Sequence, residues 1–395
     1  MDLLSNVSSE NLFVSATQQQ SRLENLANTA LSKGIDLFIR KDYGGAINEF
    51  RRSISLSSQS EYSADASNYM AKAYLKLNKT DKAIEAFKTS IRLNPYRDDT
   101  HIQLGNLYFS EKRYSEAKNE YREAVKLNSD ANNHFSLGQA FLELKQYNNA
   151  EDQFKKVRRL DPDKPNGNFG LGLVYSRLKR YEDAIDCFKS AAELQKDFYY
   201  VYAEMGYAYA DLGQIDKARE QVEFLEDKDS SLANTLSLYI YKTEPPRFLF
   251  AYSTDFTYTK NIKTPVSALN SYLENANASK TFTMKFTFQK AMDRESVENR
   301  FNWEITRSSG SGPGEAYNFG FPVPSTEITI SHYPDYVTYD SESLTATVTF
   351  TIQQNASADG TIDPSHIQFE FNGTDSYGLK MDSDYDQFSG FSGLA

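Results

Sequence analysis

Three aspartates at alternate positions, Asp382, Asp384 and Asp386 in MDSDYDQFSG, are the residues of this 395-residue chain spaced most like a cation site. Carboxylates at that spacing open a calcium loop, which then needs a glycine for its sharp turn and a closing glutamate. Gln387 stands where the glycine belongs and no glutamate follows, so the run reads as a solvated acidic tail. The histidines His101, His134, His332 and His366 are scattered, and no H-E-x-x-H pair occurs. Cys187 is the one cysteine, which allows neither an intrachain disulfide nor a cysteine zinc site. No Cys-His signature surrounds it, so it reads as a packed thiol rather than a nucleophile. The stretch GSGPG at 310–314 carries a proline and lacks the Lys and Ser/Thr of a phosphate-cradling loop. No catalytic residue, cofactor or metal is expected.

Charge narrows the partners. The formal net charge is −11, of which −9 falls in residues 244–395 and −2 in residues 1–243. An acidic domain repels a phosphate backbone, so nucleic acid is an unfavourable partner. The start, MDLLSNVSSENLF, has no basic region and no long apolar core, so it does not read as a signal peptide. The longest aromatic-apolar run, FLFAY at 248–252, is far short of the about 20 residues that span a membrane. The cytoplasm is the default compartment, with signal-independent export as the alternative, and membrane insertion is not expected.

Stepping along the chain, small residues pair at a spacing of twelve: Gly34/Ala46, Ala71/Ala83, Gly105/Ala117, Gly138/Ala150, Gly172/Ala184 and Gly206/Ala218. An aromatic or apolar residue follows each first member by three: Leu37, Tyr74, Tyr108, Phe141, Tyr175 and Tyr209. Another follows each second member by four: Phe50, Phe87, Tyr121, Phe154, Phe188 and Val222. Such spacing puts each small residue and its ring on one helix face, so that two antiparallel helices per unit approach closely and the rings fill the seam. One unit cannot bury its own core; stacking supplies it. In the sixth unit Ile215, Val222 and Leu225 stand where rings or Ala are usual, and SSLANTLSLYIYK at 230–242 reads as a capping helix.

The pattern, with KRYSEA, KQYNNA and KRYEDA recurring before each second helix, resembles the tetratricopeptide repeat over about residues 27–232. The resemblance implies an all-α superhelical solenoid that binds a protein or peptide partner in a concave groove lined by first helices. Groove positions are then Asn68, Lys72, Asn106, Phe135, Gln139, Phe169, Leu173, Tyr200 and Tyr207. Amides bond a peptide backbone and rings cover its side chains. Some family members clamp acidic C-terminal peptides with several Lys and Arg; here Lys72 stands alone among Asn residues, which departs from that mode.

Pro245-Pro246 cannot continue a helix and mark the end of the array. Beyond them the apolar period changes to two, in 281–288, 301–306, 344–352 and 367–372, the mark of strands with one packed face. The segment TPVSALNSYLENAN, 264–277, reads as a short helix with Thr264 as N-cap and Pro265 at its first position. FTFQKAMDRESV at 286–297 resembles the opening of the Ig-like domain of bacterial surface and adhesion proteins, with VTYDSESLTATVTF and FEFNGTDSYGLKMD as its downstream strands, over about 279–385. In that resemblance Met292 plugs the end of a β-sandwich while Asp293 and Ser296 cap a turn.

The expected organisation is a loose segment 1–26, six repeats plus cap in 27–243, a connector 244–278, and an all-β Ig-like sandwich with an acidic tail in 279–395. The expected function is a non-enzymatic interaction scaffold. The alternative is a structural or adhesive component of a bacterial surface or exported assembly, with the Ig-like domain as spacer.

Overall fold

The computed structural model describes residues 9–58, 60–310, 314–391 and 393–394. Two compact units partition the chain, Met1–Ser237 and Leu238–Ala395.

The first unit is a helical repeat solenoid. Its pairs are α1 Ser9–Ile39 with α2 Tyr43–Leu56, α3 Glu61–Lys76 with α4 Thr80–Leu93, and α5 Asp98–Ser110 with α6 Tyr114–Leu127. They continue as α7 Ala131–Glu143 with α8 Tyr147–Leu160, α9 Asn166–Arg177 with α10 Tyr181–Leu194, and α11 Tyr199–Asp211 with α12 Ile215–Glu226. The last helix, α13 Ser230–Thr243, is the expected cap. The expectation of a loose segment over 1–26 is corrected from Ser9 onward, where α1 begins. Leu, Gln, Ala and Glu make up about half of that stretch and no Pro or Gly interrupts it before Gly34, which favours helix. Residues 1–8 of the segment lie outside the described residues.

Why the small residues recur is a matter of distance. A Cβ on Gly105 would fall 2.5 Å from the Tyr121 ring, and one on Gly138 2.7 Å from the Phe154 ring. Gly34 stands in the same relation to Phe50, and Gly172 to Phe188. The rings are fully or almost fully buried, and Phe50, Tyr121 and Phe154 share one core with Ala46, Ala117 and Ala150. In the sixth repeat Val222 is too short to fill this role, and Leu236 of α13 packs against Gly206 instead. The cap therefore completes the weakest unit.

Each first helix ends in the same turn. In α7, Lys145 N donates to Leu142 O at 2.9 Å and Gln146 N donates to Phe141 O at 2.8 Å, the two bonds of a Schellman cap. The residue carrying it has positive φ in all six repeats: Lys41, Asn78, Lys112, Lys145, Lys179 and Gly213, between 55° and 78°. Glycine takes that conformation without cost; lysine does not.

The second unit contains the end of α13 and two four-stranded antiparallel sheets. One is ordered β1-β3-β6-β5, with β1 Phe248–Tyr252, β3 Ser279–Phe288, β5 Tyr336–Asp340 and β6 Thr345–Gln353. The other is ordered β10-β9-β8-β4, with β4 Trp303–Arg307, β8 Ile367–Phe371, β9 Gln387–Ser389 and β10 Gly393–Leu394. A short pair joins β2 Thr264–Pro265 to β7 Thr361–Ile362. All four period-two segments form strands and pair as β3 with β6 and β4 with β8. Their inward rings share one core: Phe286 lies 5.1 Å from Trp303 and 5.6 Å from Phe369.

Three boundary expectations change. The segment 244–278 is no connector: β1 pairs with β3, and Val266, Leu269 and Leu273 are buried in the β core. The helix expected at 264–277 is a bridge followed by two 3-10 turns, Val266–Ala268 and Ser271–Glu274, because Pro265 is extended (ψ 134°) and Thr264 pairs with Ile362. The acidic tail is tied down: Phe371 N donates to Asp386 O at 3.0 Å, and β9 then extends the second sheet.

Lys290, inside FTFQKAMDRESV, explains why the unit boundary precedes the prolines. Its ammonium is 2% exposed, donates to the carbonyls of Tyr241 and Glu244 at 2.7 Å each, and pairs with buried Asp375 at 2.6 Å. The last turn of α13 is thus bonded to the β unit. Beside it, Met292 is buried and Asp293 caps the short helix α14 Arg294–Glu298, accepting from Ser296 N at 3.0 Å.

Two predictions follow from the helical seam. Gly172→Leu drives a side chain into Phe188 and lowers stability by roughly 1–3 kcal/mol, read as a lower midpoint in thermal unfolding followed by circular dichroism at 222 nm. Lys145→Gly relieves the left-handed lysine and raises stability by roughly 0.5–1 kcal/mol; a lower midpoint for that variant would contradict the account of the turn.

Candidate partner-binding groove

The expected groove residues fall on five consecutive first helices, α3, α5, α7, α9 and α11, at recurring positions. Lys72, Asn106, Gln139, Leu173 and Tyr207 each follow the small seam residue by one, so they leave their helices in equivalent directions. Asn106 is exposed, and its Oδ1 accepts from Tyr121 Oη at 2.7 Å, which leaves its amide NH2 to donate. Gln139, Leu173 and Tyr207 are half-buried, and Tyr200 is 61% exposed. Phe135 packs 5.5 Å from Phe154, and Phe169 lies 4.9 Å from Phe198, each with part of its ring uncovered. Lys72 places its ammonium 5.1 Å from the Tyr69 ring.

Asn68 behaves differently from the others. It is 3% exposed and donates to Thr100 Oγ1 at 3.0 Å, a bond from α3 to α5. Its amide ties neighbouring repeats together and is not presented to a partner. The offset of four residues from Lys72 suggested a shared polar face, but Asn68 turns toward the next repeat. A carboxylate that the sequence reading passed over, Glu204, sits half-buried on α11. Its signal was available: it is the one charge inside YYVYAEMGYAYA.

Lining changes along the array. The second and third repeats carry Lys72 and Asn106; the fourth carries Gln139 with Phe135, and the fifth and sixth carry Phe169, Leu173, Tyr200 and Tyr207. Amide and cation give way to rings, so one end suits backbone polar groups and the other apolar side chains.

The remaining chemistry-bearing residues serve the fold. His101 Nδ1 lies 2.8 Å from Glu120 Oε2 and His134 Nδ1 2.8 Å from Gln153 Oε1, the same first-to-second-helix link in successive repeats. His366 is buried between the Asp363 carboxylate, 2.8 Å from Nδ1, and the Gly314 carbonyl, 2.6 Å from Nε2. His332 lies at the surface, 3.5 Å from Glu304. Burial pushes the Cys187 thiol up, which disfavours the thiolate. Residues 311–313 of the glycine-rich loop 308–321 lie outside the described residues.

The three aspartates do not converge on a cation. Among the described residues no group of three or more His, Cys, Asp or Glu is placed to hold a metal ion. Nor is the run uniformly solvated, since Asp386 is 6% exposed. Burial, then the charges of Glu370, Asp382 and Asp384, push its pKa up to about 6. Among the described residues no helix is long and apolar enough to cross a membrane.

Comparison with known proteins places the helical unit. Residues 17–235, more than half the chain, match the family model described as cilia and flagella-associated protein 70 C-terminal domain. A tetratricopeptide repeat protein from Parabacteroides merdae ATCC 43184 is similar in structure at 13% identity, over 55% of this chain and 88% of that one, with a TM-score of 0.50. The MamA protein is similar at 22% identity over 43% of this chain and 94% of that one, with a TM-score of 0.38. YrrB, described as a TPR protein with an unusual peptide-binding site, is similar at 19% identity over 48% and 97%, with a TM-score of 0.39. At such identities the likeness concerns the fold. No curated protein sequence matches the chain.

Asp386 yields a prediction with a definite sign. Its folded pKa lies above the ordinary value of 3.8. The stability it contributes is therefore full below about pH 4 and lost as pH rises through about 6. Asp386→Asn removes that loss. Its melting midpoint should match wild type near pH 4 and exceed it at pH 7.5; a gap that stays constant across this range would exclude the titration.

Proposed function

We propose that this chain, which belongs to the family of the cilia and flagella-associated protein 70 C-terminal domain, is a non-enzymatic scaffold that holds an extended or helical protein segment in the groove of its repeats. The observation that carries this reading is the division of labour on each first helix. Seam positions are buried against rings, whereas the next residue, Asn106, Gln139, Leu173 or Tyr207, keeps part of its side chain in solvent. Such a row of aligned amides and rings is wide enough in chemistry to meet both the backbone and the side chains of a bound segment. Regular stacking supplies most of the stability, to which Asn106 adds one bond from Tyr121 Oη.

The β unit is read as an Ig-like spacer or presenting domain. Its support is the turn in which Met292 is buried and Asp293 caps α14, in the manner the resemblance implies. The shared ring core of its two sheets agrees with a sandwich.

A double variant, Asn106→Ala with Gln139→Ala, tests the groove. Each truncation should cost roughly 1–3 kcal/mol of binding, because a partner group is left unpaired. In affinity capture from cell lysate, a specific partner of the wild-type chain should be depleted at least tenfold with the double variant, at equal helicity by circular dichroism. Equal capture by both proteins would move the binding face elsewhere.

A further inference from the structure

Along α11, Tyr200, Glu204, Tyr207 and Asp211 recur at i, i+4, i+7 and i+11, so their side chains leave the helix on one face. One repeat earlier the same positions on α9 are Asn166, Gly170, Leu173 and Arg177. At the level of Glu204 the preceding repeat thus offers no side chain. Gly170 is needed there, because a Cβ would run into the Phe154 ring. The Glu204 carboxylate, half-buried on α11, has no hydrogen bond or ion pair among the described residues. Burial raises its pKa, and the charge of Arg177 works in the opposite direction without closing to an ion pair. Tyr207 is close enough to feel the same carboxylate. Asp211 already engages the Tyr181 hydroxyl, so Glu204 is the uncommitted acid of the stripe.

A half-desolvated carboxylate is costly until a cation meets it. Tyrosine faces attract cations as well, and Tyr200, on the same helix face, is 61% exposed. Acid and rings on one face are complementary to a long basic side chain, whose stem lies on apolar surface while its head reaches the carboxylate. Leu173 and Phe169 supply that apolar surface on α9.

We propose that Glu204, flanked along α11 by Tyr200 and Tyr207, anchors a lysine or arginine side chain of the segment bound in the groove. The inference rests on the groove reading and names the charge of the partner at one position. It also sets the polarity of the site apart from a basic clamp for acidic peptides.

A random peptide library displayed on phage can be panned against the full chain as wild type, as Glu204→Gln, and as Gln139→Trp, which obstructs the groove without touching the helix seam. Circular dichroism confirms equal helicity of the three. Wild type should enrich Lys or Arg at one fixed peptide position at least fivefold over library frequency. Glu204→Gln should still recover peptides but with that enrichment reduced to background, and Gln139→Trp should lose them. Peptides that depend on Gln139 yet show no basic enrichment, or enrich acidic residues, overturn the anchor and leave the groove reading intact. Persistence of the enrichment in Glu204→Gln also overturns it. Identical recovery by wild type and Gln139→Trp overturns the groove reading and the anchor with it.

Discussion

The helical unit depends on how closely two helices can approach when one of them lacks a side chain. A ring on the second helix enters the space above a glycine on the first, as Tyr121 does over Gly105 and Phe154 over Gly138. Phe154 is in fact gripped from two sides, since Gly170 of the following repeat faces it as well. The same ring therefore closes its own repeat and docks the next one. Because the interlock recurs at Gly34, Gly105, Gly138 and Gly172, those first helices are carried forward with nearly the same face turned outward. Recognition positions inherit their alignment from packing positions one residue away. That inheritance is why a groove row can vary in chemistry without loss of register.

The β unit rests on a different physical device. Lys290 is a charge taken out of water, and removing it from solvent costs several kcal/mol unless its protons are met. Here two carbonyls at the end of α13 accept from it and the Asp375 carboxylate, 2.6 Å away, supplies the opposite charge. Those carbonyls belong to the orphan set that every helix C-terminus leaves, so one ammonium answers two needs at once. The rings of Tyr241 and Tyr377 lie 5.2 and 5.7 Å from it. The motif FTFQKAMDRESV thus joins a strand, a buried ion pair and a helix cap within a few residues. This arrangement accounts for its distinct look among strands.

The helical array was almost entirely legible, because its signal repeats six times and a period of small residues has few other causes. Asn68 was misjudged because offset along one helix does not say which neighbour a side chain meets; its partner Thr100 lies in the next repeat. The N-terminal helix was missed since a polar surface on α1 resembles the composition of a loose segment. In the β unit, alternation located the long strands but not β1, whose FLFAY has no period of two, nor β9, which follows an acidic run. Long-range pairing decides such strands, and local pattern is silent about it.

The groove also explains why its chemistry is uneven. The seam behind the row sets the direction of each groove position but not its polarity, although Asn106 accepts from Tyr121 Oη and Leu173 packs against the core. Asn106 is hydrophilic and Leu173 is not, though each follows a glycine covered by a ring, Tyr121 and Phe188 respectively. On the proposed reading, a segment bound across such a row would meet amide and cation at one end and rings with the Glu204 carboxylate at the other. That asymmetry would give the bound segment a direction: a basic residue among apolar ones would gain at the sixth repeat and lose at the second, where Lys72 would repel it. A uniform groove would accept either direction, whereas the proposed one would distinguish them by charge and by its rings.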